Sequence, residues 1–187
     1  MRVLGWLPFA LVATAGFAPL AEMRPASGTM PGNTYEVGAG AVSLGKRPYV
    51  EETATTSGLL WFSGDVSKLV TLSGVGAFDT SAVGVGGAAR LNAIRGDRAA
   101  AGIEGQVGYA WGAFLVPVAL RVVDETWLYA SPRLGTMSRE PSFGIPAGIS
   151  VRIVDGFMLR GEAQVSWQDF KYYNRRVHLA LGAAYQW

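Results

Sequence analysis

Apolar and polar positions alternate in run after run along this chain. In AGIEGQVGYAW (101–111), Ile103, Val107, Tyr109 and Trp111 fall on one side, and Gly102, Glu104, Gln106 and Gly108 on the other. FLVPVALRV (114–122) sets Phe114, Val116, Val118, Leu120 and Val122 against Leu115, Pro117, Ala119 and Arg121. FGIPAGISVRI (143–153) sets Phe143, Ile145, Ile149, Val151 and Ile153 against Gly144, Gly148, Ser150 and Arg152. FMLRGEAQVSW (157–167) sets Phe157, Leu159, Val165 and Trp167 against Arg160, Glu162, Gln164 and Ser166. The final stretch, RRVHLALGAAYQW (175–187), alternates to its last residue, a tryptophan. Residues 34–43 and 83–93 follow the same rule, with Glu36, Arg90 and Asn92 on the polar side. A period of two sustained this way predicts strands.

Each clean segment runs to about 11 residues, which at roughly 3.3 Å per residue and a tilt near 40° crosses about 27 Å. That is the height of the apolar band of an outer-membrane barrel. A soluble barrel would turn its apolar side chains inward, but here the second face holds Gly, Ser, Gln and charges, which cannot fill a dry core. The apolar face therefore meets lipid and the charged face lines the lumen. The predicted fold is all-β, an eight-stranded antiparallel up-and-down transmembrane β-barrel. Its strands cover about 34–44, 66–78, 82–94, 100–111, 114–124, 143–154, 157–168 and 176–187. In the second of these the alternation breaks, leaving the faces of Leu72 and Phe78 open. LLWFSG (59–64) either extends that strand or caps the first loop.

Tight turns are predicted at Asp79-Thr80-Ser81, at Gly112-Ala113, and over 154–156 with Gly156 in the left-handed position. Longer loops fall at 45–65, 95–99, 125–142 and 169–175. Short turns at one end and long loops at the other give the topology of this class, turns periplasmic and loops extracellular.

Composition narrows the functions. A net charge of +2 gives no footprint for nucleic acid. The absence of cysteine removes disulfides, thiolate metal sites and a cysteine nucleophile. At the N-terminus, Arg2 precedes the apolar VLGWLPFALVATAGFA, so residues 1–21 read as a signal peptide cleaved after Ala15 or Ala21. Residues 22–33 follow as a Pro/Gly/Ser-rich periplasmic leader, and 34–187 form the barrel.

With these residues in place, the chain resembles the small bacterial outer-membrane β-barrels of the OmpA-barrel, OmpX and OmpW kind over roughly residues 34–187. The resemblance implies that the last strand, with Tyr185 and Trp187, is the signal read by the barrel-assembly machinery. It also implies closure of that strand against the first. No peptidoglycan-binding domain is expected after the barrel.

The turns set a register that makes the lumen specific. A loop centred on Asp97 places Arg90 opposite Glu104, and a Gly112-Ala113 turn places Glu104 opposite Arg121. An Arg90–Glu104–Arg121 row is therefore expected, within a lumen network that also holds Arg152, Arg160 and Glu162. An eight-stranded barrel is only just wide enough for its side chains, so paired charges should plug it. The inward glycines, among them Gly38, Gly86, Gly102, Gly108, Gly144 and Gly148, argue for spare room, which keeps a narrow pore as the alternative.

Some small barrels are lipid A-modifying enzymes, so catalysis must be tested. His178, the single histidine, faces Ser166 across the last hairpin if the loop centres on Tyr172. Glu162 lies too deep to orient it, and no oxyanion donor is evident, so no enzyme is expected. No metal site and no cofactor are expected. The KYYNRR cluster (171–176) offers Lys171, Arg175 and Arg176 to lipopolysaccharide phosphates, with two tyrosines at the membrane interface. The partners expected are outer-membrane lipids, lipopolysaccharide and the assembly machinery.

Overall fold

The computed structural model describes residues 35–45, 55–78, 83–108, 111–137, 140–170 and 175–187. The expected signal peptide and leader, the expected turn at 79–81 and Lys171 lie outside the described residues.

Among the described residues the chain forms β1 (Tyr35–Leu44), β2 (Thr55–Asp65), β3 (Val70–Phe78), β4 (Val83–Arg95), β5 (Ala99–Gly108), β6 (Trp111–Leu115), β7 (Val118–Val123), β8 (Thr126–Ala130), β9 (Arg133–Met137), β10 (Glu140–Val154), β11 (Phe157–Gln168) and β12 (Arg175–Gln186). Every pairing is antiparallel, and the sheet closes on itself where β12 pairs with β1. Only Val116 and Pro117 separate β6 from β7, and both segments pair with β5. Only Ser131 and Pro132 separate β8 from β9, and both pair with β10. Each of these pairs is one stave interrupted at a proline. The described ring therefore has ten staves, not the eight expected from the sequence.

The interruptions have a local cause. In a narrow antiparallel pair two residues exchange both N–H···O bonds, and a proline can accept one but donate none. Thus the Gly102 amide donates to the Pro117 carbonyl at 3.0 Å, Val116 to Pro132 at 3.0 Å and Ser131 to Pro146 at 3.0 Å, each without a return bond. The ladder passes the prolines at half strength.

Both extra staves come from segments read as loops. In β2, Ser57, Leu59, Trp61 and Ser63 are buried while Leu60 and Phe62 are exposed. The segment is apolar on both faces, so its period of two is hidden. In the β8–β9 stave, Trp127 and Tyr129 point in and Leu128 and Leu134 point out, again apolar on both sides.

An added stave reverses the direction of everything up to the next one. The connections 66–69, 96–98, 124–125 and 155–156 therefore share one end with Tyr35 and Trp187, and the stave ends at Leu44 and Thr55, Phe78 and Val83, Gly108 and Trp111, Met137 and Glu140, and Gln168 and Arg175 lie at the other. The expected grouping of turns fails in the middle of the chain. The Phe78 and Val83 stave ends lie opposite 155–156, while the 95–99 region lies beside it. The expected Gly112-Ala113 turn is absent: both residues lie within β6, Gly108 pairs with Trp111, and Trp111 is buried inside rather than on the outer face. At the other end Gly156 has φ 77°, the left-handed conformation its turn requires, with the extra residue accommodated between Arg152 and Val154. Leu72 and Phe78 both face outward.

The outside is a wall of exposed aliphatic and aromatic side chains, among them Leu60, Phe62, Val85, Ile103, Phe114, Leu120 and Leu181. The inside is less polar than the alternation implied. Two apolar clusters fill it, one around Val42, Leu59, Trp61 and Ala77, the other around Ala100, Ala119, Trp127, Tyr129 and Met158. The inward glycines seat these rings: a side chain on Gly38 would run into Trp61, on Gly86 or Gly108 into Trp111, and on Gly148 into Tyr129. The room those glycines leave is occupied, contrary to the spare space expected of them.

Candidate functional site

The wall and its seats place the charged side chains at several levels of the lumen. Near the end that carries Tyr35 and Trp187, Glu36 on β1 is fully buried (0% exposed) and faces Arg160 on β11. The guanidinium donates to both carboxylate oxygens, at 2.7 and 2.6 Å. The Trp61 indole N–H donates to Oε1 at 2.6 Å and the Gln186 amide to Oε2 at 2.5 Å, so each oxygen accepts twice. Arg160 Nε donates to Ser150 Oγ at 3.3 Å, and the Trp61 ring lies 5.7 Å from the guanidinium carbon. Burying an ion pair is tolerable when it is bidentate and its remaining sites are hydrogen-bonded, and both conditions are met.

Arg90 and Glu104 stand opposite each other on β4 and β5, as the Asp97 loop required. Arg90 Nε donates to Glu104 Oε2 at 2.7 Å, and Gln106 Nε2 donates to the other oxygen at 2.8 Å. The third member of the expected row is absent from it. Glu104 faces Leu115, not Arg121, because the β5–β6 register sets Gly108 opposite Trp111 and leaves Gly112 and Ala113 within the strand. Arg121 is at the rim, 3.1 Å from an Asp124 that is 97% exposed. Arg152 is also at that rim, 3.1 Å from Glu125 rather than deep in the network. Glu162 accepts a hydrogen bond from Tyr129 Oη at 3.0 Å.

A further chain of bonds runs between β2, β3 and β4: Arg95 to Asp65 at 2.5 Å, Thr71 to Asp65 at 2.7 Å and Asn92 to Thr71 at 3.0 Å. His178 Nε2 lies 2.8 Å from Ser166 Oγ, the expected contact. Its register is different, however, since His178 pairs with Gln164 and Ser166 with Arg176. Arg175 is exposed on the outer face beside Trp167, whereas Arg176 alternates to the inner one. Tyr185 and Trp187 stack with Tyr35 and Phe62 in an exposed aromatic band across the seam.

Glu36 is the residue that sequence reasoning underused. Its inward parity was legible, but its partner is 124 positions away and is reached only through the β11–β12–β1 register. Trp61 and Tyr129 were hidden with their staves. Among the described residues no group of three His, Asp or Glu side chains could hold a metal ion.

No protein-family model and no curated protein matches this chain. Solved structures do. The chain is similar to the NanC porin at 9% identity, over 82% of this chain and 100% of that one, with a TM-score of 0.53. It is also similar to the translocator domain of the autotransporter NalP from Neisseria meningitidis, at 12% identity over 83% and 89% of the two chains, TM-score 0.49. A third is Ail from Yersinia pestis, at 12% identity over 83% and 97%, TM-score 0.43. The NanC likeness establishes the fold: a closed antiparallel β-barrel of the outer-membrane kind.

Proposed function

We propose that this chain is an integral outer-membrane protein, non-enzymatic, whose lumen is plugged by paired charges and seated aromatics and whose role is structural or one of surface interaction. The observation that carries the plug is the Glu36–Arg160 pair. It crosses between staves at side-chain exposures of 1% and 0%, with Trp61 and Gln186 completing its hydrogen bonds. In this reading the pair and the side chains around it close the lumen at their level. The short connections at the end with Tyr35 and Trp187 favour a periplasmic position for that end and an extracellular one for the 45–54 and 169–174 segments. Outer-membrane lipids surround the apolar wall. Arg175, on the outer face, is suited to lipopolysaccharide phosphate, and the Tyr185–Trp187 strand end to the assembly machinery.

A second reading, a narrow pore, is favoured by the ring itself, since ten staves enclose a wider lumen than eight. Planar-bilayer recording of the refolded protein separates the two. The plugged reading expects no discrete conductance steps from the wild type and steps from the Glu36→Ala/Arg160→Ala pair. Steps of equal size from both proteins would give the pore reading the advantage.

A further inference from the structure

The two faces of the wall divide the charges almost completely. On the described staves every charged side chain but one takes an inward position in the alternation. The exception is Arg175, the first residue of β12, which is exposed on the outer face. A cation on the lipid side of a barrel is costly at the membrane midplane and tolerated at its edges. Arg175 and Trp187 are 12 positions apart along the same stave. At roughly 3.3 Å per residue and a tilt near 40° that separation is about 30 Å, the thickness of a hydrocarbon core. Arg175 therefore stands at headgroup level, on the edge opposite the Tyr35–Trp187 band.

The residues beside it are aromatic. Trp167 on β11 is directly opposite Arg175, and Phe143 on β10 is directly opposite Trp167, so the three make one transverse row on the outer face. The Phe143 and Trp167 rings stack at 5.6 Å, with 28° between their planes. The next outward row on the same staves is aliphatic: Ile145, Val165 and Val177.

This sequence of rows selects its occupant. Acyl chains match the aliphatic row, and rings such as Trp167 suit the boundary between chains and headgroups. A guanidinium takes phosphate through its planar fork. A zwitterionic headgroup would bring its ammonium to a face on which the described staves carry no carboxylate, so the complement is an anionic lipid. We propose that the Phe143–Trp167–Arg175 row is a specific site for one phosphorylated glycolipid of the lipid A type. Its phosphate is held by Arg175, its sugar lies beside Trp167, and its chains run along Ile145, Val165 and Val177. The proposal rests on the lipopolysaccharide reading above and deepens it, from general contact to one resident glycolipid on one face.

The test uses the whole barrel, refolded in mild detergent and titrated separately with bisphosphorylated lipid A, dephosphorylated lipid A, phosphatidylglycerol and phosphatidylethanolamine. Bound lipid is counted by native mass spectrometry. One lipid A per barrel is expected, bound about tenfold or more tightly than the other three. Arg175→Gln should weaken it about tenfold, the worth of one charge-assisted hydrogen bond, and Arg175→Lys should recover part of that loss. Trp167→Leu, which keeps the wall apolar, should bring lipid A down to the level of phosphatidylglycerol. Phe62→Leu, in the aromatic band at the far edge, should bind as the wild type does. Heat-modifiable migration of the same samples reads folding, and a wild type without it would sink the membrane reading and the site together. Phosphatidylglycerol bound as tightly as lipid A, or lipid A binding unchanged by Arg175→Gln, would overturn the proposal. Loss with Arg175→Gln but not with Trp167→Leu would leave the phosphate contact standing and overturn the specific site.

Discussion

Two parts of this barrel solve the same problem differently. The closure seam, β11–β12–β1–β2, runs in continuous register, from Glu36↔Gln186 to Leu44↔His178 on one side and from Tyr35↔Gly64 to Leu44↔Thr55 on the other. Its last pair, Tyr35 and Trp187, exchanges two backbone bonds of 3.1 Å and stacks its rings at 5.9 Å. Behind it sits the Glu36–Arg160 pair. The opposite wall, β6 to β9, is broken at Pro117 and Pro132 and backed by the apolar cluster of Ala119, Trp127, Tyr129 and Met158. The seam concentrates directional bonds, while the wall relies on burial. Loss of one group should therefore be felt far more sharply at the seam.

The largest effect is expected from Glu36→Ala. It leaves Arg160 buried without its carboxylate, and breaking a buried pair this way costs on the order of 3–5 kcal/mol. Denaturant unfolding of the refolded barrel should show it. Replacing both partners, Glu36→Ala with Arg160→Met, should recover much of that loss, since no uncompensated charge remains. A double variant as unstable as the single one would mean that the two residues do not act as a pair.

The wall should respond in the other direction and more weakly. Pro132→Val restores an N–H opposite the Val116 carbonyl. A net hydrogen bond is worth about 0.5–1.5 kcal/mol, offset by about 0.4–1 kcal/mol for the lost rigidity of proline in the unfolded chain. The expected outcome is a small gain and slower amide exchange at Val116. Marked destabilisation would show that the proline bend is needed by the β6–β9 wall.

The smallest effect should come from Arg121→Ala. Its partner Asp124 is almost fully exposed, and such pairs contribute about 0–1 kcal/mol. Unfolding indistinguishable from wild type is expected, in contrast to Glu36→Ala. A loss comparable to that of Glu36→Ala would return Arg121 to the buried network.

The same contrast explains what could be read from the sequence. Three of the four seam strands alternate because one of their faces is polar: Arg160, Glu162 and Gln164 on β11, His178 and Gln186 on β12, Glu36 on β1. Their spans, the Gly156 turn and the Arg90–Glu104 pairing were all legible. The period of two vanishes where the lumen itself is apolar, because Leu59, Trp61, Trp127 and Tyr129 are inward yet look like their lipid-facing neighbours. Pro132 completed the disguise of the β8–β9 stave. Missing a stave on each side put the connections between them at the wrong ends. Independently, Gly108 stands opposite Trp111, which removes Arg121 from the row in which the expected 112–113 turn had placed it.

The stave count is therefore the claim on which the rest depends, and the 96–98 connection tests it most directly. In a ten-stave ring it lies with 155–156, and in an eight-stave ring it lies at the opposite end. Single cysteines at Asp97, Asp155 and Ser138 can be challenged on whole cells with an impermeant thiol reagent. Ten staves predict that Ser138→Cys reacts while Asp97→Cys and Asp155→Cys stay protected until the membrane is permeabilised. Labelling of Asp97→Cys together with Ser138→Cys, while Asp155→Cys remains protected, would contradict the ten-stave ring.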